Sequence, residues 1–388
     1  MSCLFMNILM RDFVKLSSFF LILFTLASQN LFSQNEDVLF RKYVISSGWN
    51  GLLYGGAIDA IAELDGAAAG GVPIITSGVC VLIPLISNTS KTITANQLML
   101  SGHGRTIGWV HGAAFSSLVL GENAWEDEGN DYYKMTIGLS ALSSIGLGML
   151  GNSLGKNNDW TEGQVALYRH YGWIMPFTGF SVAAAFSDDI RVFGGSILLF
   201  GAGGYLLGNK VNNMHEYTRG DIRATRVLTV LNGGLGYGIL TDLQSDNEIN
   251  DATWLIPAAG VLSGTLISHL WLKDADLSPQ QGLTTAYAST GGAIIGLGIA
   301  MIVDSENATP WYLIPYATGL GAYAYAVEHF KRKNIAFNFI PANRKKSNWD
   351  LAFMPQNLLL NSKMQSRGYL VNGRLTGMQP VFSASVTF

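Results

Sequence analysis

Asp59, His111 and Arg226 each stand within a long apolar stretch of the chain. A charge at membrane depth costs about 3 kcal/mol on insertion scales, so such residues default to ion, proton or substrate paths. These three are the candidate site residues. Conventional catalytic patterns are absent. There is no P-loop, dinucleotide fingerprint, HExxH or paired-cysteine motif. His103, His111, His170, His215, His269 and His329 lack metal-ligand spacing. His103 and His111 share a helix face, but two turns separate them, too far to share one ion directly. The acid-rich stretches Glu122 to Asp131 and Asp242 to Asp251 lack the spacing and glycine of an EF-hand loop. Gly201 to Gly204 and Gly291-Gly292 sit inside apolar runs with no strand before them, and read as packing glycines. Cys3 and Cys80 cannot build a disulfide framework. The expectation is a non-enzymatic protein with no catalytic, cofactor-binding or metal-binding residues and no cofactor.

The elements that would position these residues are set by an unusual composition. The chain has 388 residues, 48% hydrophobic and only 13% charged, with 45 glycines and a mean hydropathy of +0.25. Soluble domains carry about 25% charged residues. Disorder needs more charge, and nucleic-acid binding needs a basic stripe that a net charge of −3 does not supply. The lipid bilayer is therefore the expected partner, with envelope proteins or a second copy of the chain as further partners and no nucleic acid.

Arg11 and Lys15 precede the apolar run Leu16 to Leu26, which the polar stretch Ser28 to Gln34 ends. That pattern predicts a signal peptide over 1–34. Met10 offers a tidier start than Met1. The run is too short for the ~20 residues of a comfortable membrane span.

The apolar body, 35–333, predicts a polytopic, mainly α repeat. Thr94/Gln97, Thr161/Gln164, Thr218/Asp221 and Ser278/Gln281 have the spacing of capping boxes, and Asp37 opens a similar segment. A glycine follows each cap by 18 residues: Gly55, Gly112, Gly179, Gly236 and Gly296. A second apolar segment follows each first one, near 71–88, 134–154, 190–208, 253–272 and 310–330. The result is five glycine-rich αα-hairpins, about ten helices, in repeats near 37–90, 94–157, 161–214, 218–274 and 278–333. Small residues one turn apart let helix backbones approach closely, the device of a glycine zipper.

Acids concentrate at the predicted hairpin tips and bases at the roots. A signal peptide followed by complete hairpins puts the basic roots on the exported side, against the positive-inside rule of the inner membrane. The first helices have polar early turns and keep an apolar stretch of about 16 residues, or ~24 Å. That length favours the thinner outer membrane over the inner.

Beyond Lys333 the texture changes. Ile335 to Ile340, Trp349 to Met354 and Gly368 to Leu375 read as short strands, so 334–388 is expected to form a small C-terminal antiparallel β segment. The last ten residues, ending in Phe388, resemble the terminal strand of outer-membrane barrel proteins. The leading expectation is a cell-envelope integral membrane protein with a structural or scaffolding role. The alternatives are a channel or transporter with a polar path between hairpins, and an outer-membrane β-barrel.

Overall fold

The computed structural model describes residues 36–87, 92–125, 131–245, 251–303, 309–338 and four short strands beyond them. The predicted leader, 1–34, lies outside the described residues. The chain divides into two compact units, 1–334 and 335–388.

Among the described residues there are ten α-helices. They are α1 Glu36–Ala62, α2 Gly66–Ser87, α3 Ala95–Leu120, α4 Asp131–Asn157 and α5 Glu162–Phe186. The rest are α6 Ile190–Met214, α7 Arg219–Ser245, α8 Leu255–Leu272, α9 Pro279–Val303 and α10 Thr309–Asn338. Short 3₁₀ turns, Gly121–Trp125 and Asp251–Trp254, close two of the tips. The expectation of a mainly α chain of about ten helices matches this architecture. A β-barrel does not, because the body satisfies its backbone within helices rather than between strands.

Local chemistry explains where the first helices begin. Thr94 and Gln97, and likewise Thr161 and Gln164, exchange both capping-box bonds. Ser278 and Gln281 do so at α9. At α7 the Asp221 carboxylate accepts from the Thr218 N–H while Thr218 Oγ1 accepts from the Asp221 N–H. Asp37 departs from the pattern. It lies inside α1, which already includes Glu36, so it does not stand ahead of the first described turn as a cap should.

Each first helix packs on its own second helix through the glycine 18 residues after the cap. A Cβ on Gly55 would meet the backbone of Pro73, on Gly236 that of Ile256 and Pro257, and on Gly296 that of Pro315. Gly112 faces Ser140 and Gly179 faces Ser196 and Phe200 in the same way. No other residue fits such a contact without pushing the helices apart. Pro73, Pro176 and Pro315 are tolerated inside helices, because neighbouring helices re-satisfy the freed backbone groups.

Successive hairpins stack by one repeated rule. The first helices α1, α3, α5, α7 and α9 each touch the next, and α4, α6 and α8 lie against α1, α3 and α5 respectively. On α7 the same place is taken by α10. Tyr312 covers Gly238, and Thr309 Oγ1 and Tyr312 OH donate to the Asp242 carboxylate at 2.8 and 3.0 Å. At the roots, Gly163 meets Tyr217 and Gly220 meets Leu277, one repeat apart. Asp221 reinforces that joint by accepting the Leu277 N–H at 2.9 Å.

The solvation is inverted relative to a soluble bundle. Ser101, Ser116, Ser140, Ser144, Thr225, Ser268 and Thr285 are buried, while Ile74, Ile75, Leu199, Leu206, Leu270 and Ile302 are exposed. Among the described residues, α2, α4, α6, α9 and the segment Asp251–Leu272 are long and apolar enough to cross a membrane. Four of these five are second helices, so the second helices carry most of the apolar surface and the first helices most of the polar interior. Apolar side chains turned outward, with small polar residues buried beside an apolar core, is the arrangement of a membrane protein.

The 335–388 unit corrects part of the expectation for the tail. Ile335 to Asn338, read as strand, continues α10. No glycine or proline intervenes between Gly321 and Pro341, and Lys331-Arg332-Lys333 favours helix, so nothing stops the helix earlier. Asn348–Phe353 (β1) pairs with Phe382–Thr387 (β4), and Leu370–Val371 (β2) pairs with Arg374–Leu375 (β3), both antiparallel. These are two separate two-stranded pairings, not one sheet.

Candidate functional site

The repeat puts two arginines at one structural step. Arg169 lies eight residues after the Thr161 cap and Arg226 eight after Thr218. On α7, Arg219 and Arg223 share the face of Arg226, since residues three, four and seven apart align on a helix. On α5, Glu162 and Ala166 share the face of Arg169.

Hydrogen bonds tie this set together across helices. Arg226 Nη2 donates to the Ala166 carbonyl at 2.9 Å, joining α7 to α5. Arg223 Nη1 donates to the Pro279 carbonyl at 2.6 Å, joining α7 to α9. Arg219 pairs with Glu162 at 2.6 Å. Arg169 differs: its Nε is buried and has no hydrogen-bond partner. Lys42 on α1 lies in the field of Arg219 and Arg223, which places the root of α1 opposite that of α7. Arg169 feels the same two arginines, and Arg226 feels all three.

Four arginines from α5 and α7 therefore lie close together, with Lys42 of α1 in their field, and Glu162 is paired with Arg219. Asp221 does not neutralise them, because its oxygens are occupied by Thr218 and the Leu277 N–H. Arg219 and Arg223 also stand in the first turns of α7, the helix end whose dipole disfavours cations. Lys42, Arg169, Arg219, Arg223 and Arg226 are all half-buried rather than sealed.

His103 on α3 lies near this cluster. Its Nε2 is 2.8 Å from the Tyr205 hydroxyl, and Trp173 meets its ring edge-on. Arg169, Arg226 and His111 all act on His103 electrostatically. A second polar cluster sits near the roots of the third and fourth hairpins. Tyr171 OH is 3.0 Å from His269 Nε2, and Tyr217 packs on both His269 and His215. Burial raises the Tyr217 phenol above its ordinary value, with Asp221 and Asp274 adding to the effect, so it stays protonated. No group of three or more metal-ligating side chains occurs among the described residues.

The three residues singled out from sequence are only partly brought together. Arg226 is in the cationic cluster. His111 is on the far side of His103, with its Nε2 aimed at Gly201 of α6 and without a hydrogen-bond partner. Asp59 is apart. It is 22 residues past Asp37 while Arg226 is eight past Thr218, a height difference of ~21 Å along parallel helices. Its Oδ1 is buried without a partner near the tip of α1. Arg105, another root arginine, serves a seam instead: it donates to Ser47 Oγ at 3.2 Å and lies over the Tyr43 ring. Lys42, Arg169, Arg219 and Arg223 were not singled out from sequence. The signal available for Arg169 was that it repeats Arg226 at the same distance from its cap.

Two surface clefts lie elsewhere on the described residues. One of about 640 Å³ lies along α10 between Tyr325, Glu328, His329 and Lys333, and one of about 470 Å³ lies at a tip between Glu122, Asp189 and Arg191. In the second, Arg191 covers Gly121, whose φ of +66° suits glycine. No protein-family model, curated protein or solved structure matches the chain.

Proposed function

We propose that the protein is a non-enzymatic integral membrane protein of the cell envelope whose five hairpins serve a structural or scaffolding role. The observation that carries this reading is the outward-facing apolar surface, with large aliphatic side chains exposed along the helices while serines and threonines are buried among the core's own apolar residues. Such a body is stable only where lipid covers its flanks. The finer features belong to the same reading: a signal peptide over 1–34, glycine-zipper seams, and residence in the outer rather than the inner membrane. A small C-terminal β segment and partners drawn from envelope proteins or a second copy complete it. Sucrose-gradient fractionation followed by carbonate extraction tests it. The protein is expected in the pellet of outer-membrane fractions; release by carbonate overturns the integral reading, and recovery in inner-membrane fractions overturns the location.

A channel or transporter is the second reading, favoured by the half-buried arginines facing one another across α5 and α7. Anion efflux from proteoliposomes above that of empty vesicles supports it. Equal efflux removes it.

A further inference from the structure

We propose that the cationic cluster at the roots of α1, α5 and α7 is a binding site for a phosphate-bearing anion. The inference is independent of whether the protein scaffolds or transports.

Four of the five cations there are arginines, whose planar forked donors match tetrahedral and carboxylate oxygens better than a lysine ammonium does. The only described carboxylate of the cluster, Glu162, is engaged by Arg219. Arg226 and Arg223 each spend one donor on a carbonyl and keep others for a ligand. Arg169 keeps a buried Nε with no partner inside the protein. A buried donor left unmade is destabilising, and so is a set of like charges drawn together. An anion seated among Arg169, Arg223 and Arg226 removes both penalties at once.

The repeat itself does not demand these side chains. At the same step the other hairpins carry Ile45, Gly102 and Ala286, so a neutral residue suffices for packing. The arginines are a local departure confined to the third and fourth units. Their height also fits the ligand. Eight residues from the cap is ~12 Å into the helix, near the boundary between headgroups and hydrocarbon. A lipid headgroup phosphate and a soluble phosphate share this chemistry.

Thermal unfolding of the full chain, purified in a neutral detergent, separates the sources. One arm titrates inorganic phosphate, and the other compares vesicles of phosphatidylcholine with vesicles containing about one third phosphatidylglycerol. A rise in midpoint with phosphate identifies a soluble anion; a rise only with phosphatidylglycerol identifies a headgroup. No rise in either arm overturns the proposal. Arg169→Gln is expected to weaken the responding arm at least tenfold, because its Nε makes no internal bond whose loss could unfold the protein. Arg105→Gln, outside the cluster, is expected to leave the response unchanged. Equal weakening by both variants would point to general surface charge and overturns the site.

Discussion

Replacing Gly108 by alanine is expected to destabilise the protein, while the same change at Gly146 in the same hairpin is expected to stabilise it. A Cβ on Gly108 would overlap Ser144 Cα and lie 2.7 Å from both the Ser143 carbonyl oxygen and the Ser144 nitrogen. These are backbone atoms, and they cannot rotate away. α3 and α4 must separate by roughly 1 Å to restore ordinary contact, and overpacking of this kind costs ~1–3 kcal/mol. The 2.7 Å bond from Ser144 Oγ to the Arg105 carbonyl lies in the same seam and weakens with it. Against this, alanine gains about 0.5–1 kcal/mol over glycine within a helix. The net loss for Gly108→Ala is about 1–2 kcal/mol. Gly146 meets nothing within 4 Å, so only the helix preference remains and the variant gains about 0.5–1 kcal/mol. The helix preference is common to both, so the two variants should differ by the overpacking cost, ~1–3 kcal/mol. Reversible unfolding by sodium dodecyl sulfate in mixed micelles, followed by tryptophan fluorescence, measures both on one scale. Shifts of the same sign would refute the close seam between α3 and α4.

Three further outcomes follow from the packing. Asp221→Ala should cost about 3 kcal/mol in the same assay, because it removes a cap and strands the buried Leu277 N–H. Thr94→Ala, which loses a local cap and a long 3.5 Å bond to the Gly155 carbonyl within its own hairpin, should cost about 1 kcal/mol, and equal losses would deny the joint between hairpins. Gly201→Ala places a Cβ 2.5 Å from His111 Nε2 and should cost ~1–2 kcal/mol, most of which His111→Ala should recover in a double-mutant cycle; additive losses would mean that the two do not touch. In a Cys80→Ser background, an impermeant maleimide should label only one of Asp188→Cys and Lys273→Cys in sealed, uniformly oriented vesicles. Labelling of both from one side would refute tips and roots on opposite faces.

What was legible in the sequence was whatever local chemistry or strict spacing determines. Thr94/Gln97, Thr161/Gln164 and Ser278/Gln281 can be read as helix starts because both partners of the box lie within four residues. The glycine 18 residues past each cap was legible because every hairpin needs it at the same height. Its partner was not, because pairing Gly55 with Pro73 or Gly296 with Pro315 depends on the register of the hairpin. The cationic cluster was half legible. Arg169 and Arg226 repeat at one step and Arg223 shares the face of Arg226, but that Lys42 of α1 lies in the field of α7 depends on how distant hairpins pack. The end of α10 was misread because alternation over Ile335 to Ile340 competed with an unbroken helix, and the helix won.

The division of labour between first and second helices explains why one chain can hold both an apolar coat and a charged interior. A lone helix in lipid could not carry Arg169 or Arg226 at this depth without its charge meeting hydrocarbon. Here α5 and α7 are screened by the second helices of their own and neighbouring hairpins, and each arginine faces another first helix. Close screening needs close backbones, and the glycines at the seams provide them: Gly172 leaves room for the His103 ring, and Gly201 for that of His111. A bulkier residue at either place would push an imidazole out of position and open the polar interior to lipid. The glycine content and the scarce, clustered charge are therefore one design, in which thin seams allow an ionic interior to persist within an apolar wall. An arginine eight residues past the cap occurs in only two of the five units, which makes that interior asymmetric, and the asymmetry locates the site.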